Sequence, residues 1–233
     1  MPEVRNFGLA PGQLPLLANT VTLNQAALVA LASTPFEVVP APGAGLILVP
    51  IGFMFIFNFG TIQYQGSLAG TIAYGGSAHD SVLPPAVNIS AVVLGNASGS
   101  LYASAELDSN QNLAADTNQA FQLRGGSTAF GGPIVTATLG AAGLGYLAND
   151  TGTITTGAGD ATYKVLTVGA GGAVLTFSVT GAGTRYRVAN GVPTATGGAQ
   201  PGVGTGFTVN ITAVQNGDGT LKVVSYYQIA PVP

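Results

Sequence analysis

The chain has 233 residues, six of them Lys or Arg and nine Asp or Glu, so charged residues make up 6% where an ordinary soluble domain has roughly 25%. A hydrophobic content of 47% and the absence of cysteine exclude the composition of a disordered chain and any disulfide or cysteine metal site. Because so few charges leave an apolar exterior, we expect much of the surface to be buried against other subunits.

The first predicted element is an extended arm over residues 1–22. Its prolines, Pro2, Pro11 and Pro15, do not suit a helix or a central strand. The leucines of the arm must lie on an apolar surface, which belongs either to the chain's own domain or to a neighbouring subunit. We expect this arm to dock on a partner through Leu9, Leu14, Leu16 and Leu17.

A short helix is predicted next, with Asn24 as its N-cap and Thr34-Pro35 as its end. From Phe36 onward, segments rich in Val, Ile, Phe and Tyr are separated by clusters of Gly, Pro, Ser and Asn. This pattern is typical of an antiparallel all-β architecture, a β-sandwich or jelly roll. We expect this core domain to span 23–133 and to resume over 215–233, where a tight turn at Asn216–Thr220 leads into a closing strand.

The most apolar segment, residues 46–59, predicts a strand with two apolar faces. Its phenylalanines alternate with Met54 and Ile56, so one face belongs to the sandwich interior and the other to a contact with a second subunit. We therefore predict that this is an inter-subunit strand, carried by Phe53, Phe55, Phe57 and Phe59.

An internal repeat occupies residues 134–214 and predicts a small inserted β-domain of two copies, at about 134–173 and 174–214. Ile134–Asp150 matches Val174–Asn190 at an offset of 40, and Tyr163-Lys-Val165 matches Phe207-Thr-Val209 after a four-residue insertion. Each copy contains a Gly-x-x-Tyr turn, in which the glycine supplies a positive φ angle and the tyrosine a packing anchor. The anchors of the two copies are Gly143 with Tyr146 and Gly183 with Tyr186.

The inventory of chemically active side chains is small. His79 is the only histidine, so neither a catalytic triad nor a two-histidine metal site can be assembled. Asp108-x-Asn110-x-Asn112 has the spacing of calcium ligands but lacks the glycine and glutamate of a calcium loop, and we interpret it as a hairpin tip. The sequence predicts no catalytic residue, no metal and no cofactor.

Charge and hydropathy also limit the partners and the location. The formal net charge is −3, and clustered Lys and Arg of the kind that bind phosphates are missing. The apolar run over 46–59 is shorter than the roughly 20 residues of a membrane-spanning helix, and the N-terminus lacks the order of a secretory signal. We expect a protein made in the cytoplasm, with no nucleic-acid and no membrane partner.

Residues 23–50, LNQAALVALASTPFEVVPAPGAGLILVP, resemble the opening of small structural proteins of tailed bacteriophages and prophages, in which a short helix and an apolar strand begin a β-sandwich. Gly217-Asp-Gly-Thr-Leu-Lys-Val with the closing Tyr-rich strand resembles the end of that domain, and the repeats resemble the Gly-x-Gly-Tyr repeats of phage head and tail appendages. The resemblance covers about 23–126 and 215–233. Arg185 departs from the small residue that commonly precedes the tyrosine.

Among phage structural proteins, the trimeric capsid decoration or cement proteins resemble this chain best. The resemblance implies a non-enzymatic virion protein on the outer surface of the head, made in the bacterial host cytoplasm. Its implied partners are two further copies of itself, in a homotrimer, and the major capsid protein. The alternative is a tail, baseplate or head-fibre module that binds a receptor or carbohydrate, with Tyr146, Tyr163, Tyr186 and Phe207 stacking on sugars if they are exposed.

Overall fold

The computed structural model describes residues 3–4, 14–31, 33–66, 70–75, 90–105, 113–125, 130–196 and 204–232. The chain forms two compact units. Unit 1 comprises Met1–Gln63, Ser67–Ala129 and Asp218–Pro233, and unit 2 comprises Tyr64–Gly66 and Phe130–Gly217. Unit 2 therefore includes the repeat region predicted over 134–214 together with short flanking segments.

The predicted all-β class with antiparallel sheets is confirmed. The strands are β1 (Glu3–Val4), β2 (Leu17–Leu23), β3 (Phe36–Val39), β4 (Leu46–Asn58), β5 (Gly70–Tyr74), β6 (Gly99–Ser104), β7 (Phe121–Gly125), β8 (Ile134–Leu144), β9 (Thr151–Ile154), β10 (Ala161–Val168), β11 (Val174–Gly181), β12 (Ala189–Thr196), β13 (Thr205–Val214) and β14 (Thr220–Pro231). The helices are α1 (Gln25–Ala30), α2 (Ser90–Val93) and α3 (Leu113–Asp116), with a 3-10 turn at Ala170–Gly172.

The predicted helix is present as α1, and its N-cap is Asn24. The Asn24 side-chain oxygen accepts a hydrogen bond of 3.0 Å from the Ala27 N–H, which satisfies one of the unpaired donors of the first turn. Leu28 is fully buried, so this short helix is held by packing rather than by its own propensity.

Unit 1 contains two antiparallel sheets. The larger has the strand order β1-β2-β14-β4-β6, and the smaller has the order β3-β7-β5. The rings of Phe53 on β4 and Phe121 on β7 meet edge to face at 5.8 Å, and the Tyr74 hydroxyl on β5 donates to the Leu48 carbonyl on β4. These contacts join the inner faces of the two sheets into one core, as in a β-sandwich.

The structure corrects the last part of the arm predicted over residues 1–22. Residues 17–23 form β2, which pairs along its length with β14, from Leu17 opposite Tyr227 to Leu23 opposite Leu221. Leu17 is buried in unit 1 and Leu14 is half-buried, because the alternating pattern of LANTVTL suits a strand with one buried face. Leu16 is partly exposed, and Leu9 lies outside the described residues.

The structure also corrects the assignment of the phenylalanines. Phe53, Phe55 and Phe57 are fully buried inside unit 1, so their side chains form the core of a single subunit. Phe59 follows the end of β4, is half-buried, and its N–H donates to the Ser98 hydroxyl at 2.9 Å. A contact with a second subunit would have to use the opposite face of the same strand.

Unit 2 is a six-stranded antiparallel sheet in the order β11-β10-β9-β12-β13-β8. The edge strands β8 and β11 approach each other, so the sheet is nearly closed into a barrel. Strand β8 of the first repeat copy pairs with β13 of the second, and β11 of the second copy pairs with β10 of the first. Each copy thus contributes its first strand to the other, and neither completes the sheet alone.

The two copies are related by an approximate twofold axis between β9 and β12. The Tyr146 N–H donates to the Gly172 carbonyl at 3.0 Å, and the Tyr186 N–H donates to the Gly132 carbonyl at 2.9 Å, with both donor and acceptor shifted by 40 positions. The shared core consists of Ile134, Tyr146, Ile154, Ala161, Tyr163, Val165, Val174, Tyr186, Val192, Phe207, Val209 and Ile211.

Candidate interaction surfaces

The strand register of unit 1 defines an outer face on the five-stranded sheet. Cross-strand partners lie on the same face of a sheet, and the side chains beside the buried phenylalanines point the other way. Met54 pairs with Tyr102 and Val224, and Ile56 pairs with Ser100 and Lys222. We call this face the outer sheet face; it is formed by Ala18, Thr20, Thr22, Gly52, Met54, Ile56, Asn58, Ser100, Tyr102, Ser104, Lys222, Val224, Tyr226 and Gln228.

The outer sheet face is apolar at its centre and nearly free of charge. Met54, Ile56, Val224 and Tyr226 are half-buried, and Tyr102 is 56% exposed. Lys222 is the one charged residue among the fourteen that define this face. A sheet face of this composition is typical of a surface that another protein covers.

The tyrosines of this face were missed by the predictions made from the sequence. The alternation that reveals them is present in SLYAS and in LKVVSYYQ, but both segments look like ordinary half-buried strands until their neighbours are known. The pairing of β4 with β6 and β14 brings Tyr102, Met54 and Val224 side by side. Val224 lies more than a hundred positions along the chain from both Met54 and Tyr102, so no local sequence pattern predicts this clustering.

The repeat anchors lie at the centre of unit 2. The Tyr186 hydroxyl donates to the Ile154 carbonyl at 2.8 Å and accepts from the Ala161 N–H at 2.9 Å. The Tyr146 ring meets Phe207 edge to face at 5.8 Å. Each tyrosine therefore contacts residues of the other repeat copy and stabilises the packing between the two copies.

Gly143 and Gly183 have φ angles of +63° and +62°, the left-handed region that the turn requires. A Cβ on Gly183 would lie 2.6 Å from the Ala161 nitrogen and 2.5 Å from the Tyr186 ring, and one on Gly143 would lie 2.6 Å from the Phe207 nitrogen. The glycines serve both the backbone conformation and the close approach of the next strand. Their role is structural.

The aromatic residues considered for sugar stacking are all buried. Tyr146, Tyr163, Tyr186 and Phe207 are at most 1% exposed, so none of them can present a ring to a ligand. Burial raises the pKa of Tyr163 to about 12 and also raises the pKa of Tyr186, so both phenols remain protonated hydrogen-bond donors at neutral pH. These four positions give no support to a carbohydrate site.

Arg185 departs from the repeat in conformation as well as in type. Its φ angle is +62°, and the equivalent position in the first copy, Gly145, has a φ of +78°. The Arg185 N–H donates to the Gln65 side-chain oxygen at 2.9 Å. A positive φ is unfavourable for a residue with a Cβ. Arg185 therefore has a strained backbone conformation at a position where the first copy has glycine.

Chemically active clusters are missing from the described part of the chain. Within it, no group of three or more His, Asp or Glu side chains could hold a metal ion. His79, Asp108, Asn110 and Asn112 lie outside the described residues. Burial of Tyr74 raises its pKa, and the charge of the buried Asp116 raises it further. Across the described residues, no helix is long and apolar enough to span a membrane.

Comparisons with known proteins give little similarity. No family model matches the chain, and no curated protein matches it. Among solved structures, a chain in the structure of infectious bursal disease virus, Gx strain, aligns at 15% identity with a TM-score of 0.22. The alignment covers 99% of this chain and 47% of that one, so the chain spans about half the length of that protein. A likeness at this TM-score carries no argument about fold or function.

Proposed function

We propose that this protein is a non-enzymatic virion structural protein, a capsid decoration or cement protein that docks as a homotrimer on the outer face of a phage head. The observation that carries the proposal is the outer sheet face, which is apolar at its centre and has Lys222 as its one charge. Such a face supports protein–protein contact rather than binding of a charged ligand. The resemblance of residues 23–50 to phage structural proteins is the reason for proposing a phage head as the partner.

The composition supports repeated contacts between identical subunits. With 15 charged residues in 233, a lone subunit exposes more apolar surface than soluble monomers usually carry. A cyclic trimer uses two different patches of each subunit and so covers more of this surface than a dimer with one self-complementary patch. On a shell, each trimer would bind weakly, and the combined strength of many identical contacts would keep the trimers attached.

Light scattering of the purified chain tests the trimer. We expect a mass close to three times 23.1 kDa, and Tyr102→Glu should lower it to that of a monomer because the charge enters the apolar face. Val188→Glu, at an exposed position of unit 2, is the matched control and should leave the mass unchanged. A stable wild-type monomer would contradict the proposal.

The location on the virion needs a separate measurement. We expect a reconstruction of the particle that carries this chain to contain threefold density on the outer surface of its head. Density at the tail or baseplate instead would support the alternative of a receptor- or carbohydrate-binding module, and would overturn the decoration role while leaving the trimer intact.

A further inference from the structure

Lys222 is half-buried on β14, the central strand of the five-stranded sheet. It pairs across the outer sheet face with Ile56 on β4 and Thr22 on β2, and Val224 is the next side chain of β14 on the same face. A lysine in such a position lays its aliphatic chain along the sheet and keeps its ammonium group in water. Among the described residues, none forms a hydrogen bond or ion pair with this ammonium group.

A partner that covers the outer sheet face removes the water from Lys222. Burying an ammonium group is unfavourable unless an anion takes the place of that water. Lys222 is the one charged residue among the fourteen that define this face, so the face itself supplies no anion. The covering surface must therefore bring a carboxylate, and it must be apolar around that carboxylate in order to match Met54, Ile56 and Val224.

The chain itself carries a carboxylate that is available for such a contact. Glu37 on β3 is exposed and forms no hydrogen bond or ion pair. The other four acids whose side chains are described are either buried or already bonded to threonine side chains. Asp116 and Asp150 are buried, and Asp160 and Asp218 accept hydrogen bonds from threonine hydroxyls.

The surface next to Glu37 is apolar. Strand β3 is at the edge of the three-stranded sheet. Pro35, Pro40 and Ala41 are exposed, and Phe36 is half-buried. We call residues 35–41 the Glu37 edge. It carries one negative charge within an apolar segment, just as the outer sheet face carries one positive charge within an apolar surface.

Lys222 and Glu37 lie on opposite outer faces of unit 1. Glu37 pairs across the smaller sheet with Gln122, whereas the neighbouring pair, Phe36 and the fully buried Leu123, faces the core. The Glu37 side chain therefore points away from the core on the smaller sheet, and Lys222 points away from it on the larger one. A contact between them needs two subunits and uses a different patch on each, which is the kind of contact that closes a ring.

We propose that the outer sheet face of one copy is covered by the Glu37 edge of the next copy, with an ion pair between Lys222 of the first and Glu37 of the second. This inference rests on the proposed function, because it names the two patches that a cyclic trimer would use. The apolar residues supply most of the buried area, and the ion pair selects which patch meets which. A twofold contact between two outer sheet faces is disfavoured, because it would bury two Lys222 side chains without a carboxylate.

Charge reversal in the full chain tests the pairing. Lys222→Glu and Glu37→Lys each place like charges across the contact, so either variant should lower the mass in light scattering from three times 23.1 kDa to that of one subunit. The double variant restores opposite charges and should return to the mass of the trimer. Every variant should keep the wild-type circular dichroism spectrum.

A second double variant is the matched control. Lys164, like Lys222, is a half-buried lysine on a strand, and it lies in unit 2. Lys164→Glu combined with Glu37→Lys has the same net charge as the first double variant, but it leaves Lys222 facing a lysine. We expect it to remain a monomer.

The outcomes separate this inference from the proposed function. A monomeric wild type overturns both. A trimer that persists in either single variant or in the control overturns the inference alone, and so does a first double variant that stays monomeric. If Lys222→Glu keeps the trimer but no longer binds phage heads, the shell covers the outer sheet face and a second copy does not. Loss of the fold in either single variant also overturns the inference, since neither side chain forms a hydrogen bond or ion pair in its own subunit.

Discussion

The hydroxyl of Tyr186 lies 2.8 Å from the carbonyl oxygen of Ile154 and donates a hydrogen bond to it across the boundary between the two repeat copies. The same hydroxyl accepts from the Ala161 N–H, so one side chain satisfies two buried backbone groups on neighbouring strands. Since β9 and β10 belong to the first copy and Tyr186 to the second, this single residue couples the folding of the two halves of unit 2.

Tyr186→Phe should destabilise unit 2 by about 1–3 kcal/mol, the cost of leaving buried backbone groups without their partner. Urea unfolding followed by circular dichroism measures the change. Tyr102→Phe removes the same hydroxyl from a largely exposed ring and serves as the control, with an expected change near zero. Equal unfolding midpoints for the two variants would contradict the coupling role of Tyr186.

Gly183→Ala should be far more damaging than Gly159→Ala, although both glycines have positive φ angles of +62° and +72°. A Cβ on Gly159 meets nothing within 4 Å, so it carries only the conformational cost, about 1 kcal/mol. On Gly183 the same Cβ meets the Ala161 nitrogen, and we expect a loss of more than roughly 3 kcal/mol. Thermal unfolding of both variants checks the ranking, and a reversed order would refute it.

Arg185→Gly should stabilise unit 2 by roughly 0.5–1 kcal/mol, because glycine adopts a positive φ without the steric cost that Arg185 bears. The hydrogen bond from this N–H to Gln65 involves the backbone and is retained. Arg187→Gly, at a position without a positive φ, is the control and should not stabilise. The unfolding midpoint in urea distinguishes the two, and an Arg185→Gly variant that unfolds earlier than wild type would show that its side-chain contacts outweigh the strain.

Protonation of Asp160 should release Thr184 in acid. Hydrogen bonds from the Thr184 N–H at 2.8 Å and the Thr184 hydroxyl at 2.9 Å hold the pKa of Asp160 below its ordinary value of 3.8. Because the folded pKa is the lower one, the contribution to stability is complete above pH 3.8 and is lost as the pH falls through the folded pKa.

The amide chemical shift of Thr184 measures this titration directly. We expect its midpoint to lie below 3.8, and in Asp160→Asn the shift should be independent of pH, since the Asn oxygen still accepts from the amide but does not titrate. A midpoint at or above 3.8 would show that the two hydrogen bonds do not favour the carboxylate.

Deletion of residues 1–20 should prevent unit 1 from folding cooperatively. The deletion removes the first four residues of β2 and with them Leu17, and leaves part of β14 without its partner strand. Deletion of residues 1–13 keeps β2 whole and is the control, expected to unfold cooperatively. Near-ultraviolet circular dichroism and urea unfolding separate the two; a cooperative transition in the longer deletion would restore the interpretation of this segment as a detachable arm.

Local sequence patterns predicted the elements correctly where a single residue type determines the local backbone conformation. Asn24 supplies a side-chain acceptor for the first turn of α1, and Gly143 and Gly183 reach a φ that other residues avoid. The arm prediction was wrong for residues 17–22, which belong to β2; Pro11 and Pro15, on which the prediction was based, lie before that strand. The phenylalanines were assigned to the wrong face because alternation alone does not say which face is covered.

Local patterns were enough to predict the all-β class, the short helix and the two repeat copies, because periodicity, capping and turn chemistry act between residues close along the chain. The surfaces that the strands leave open follow from how distant strands pair. The exchange of β8 and β11 between the copies depends on pairing between distant segments, and so does the outer sheet face, where β4 pairs with β14. These pairings are stabilised by burying one whole face of a sheet. Because several strands form that face together, the free energy of burial cannot be assigned to a single segment of the sequence.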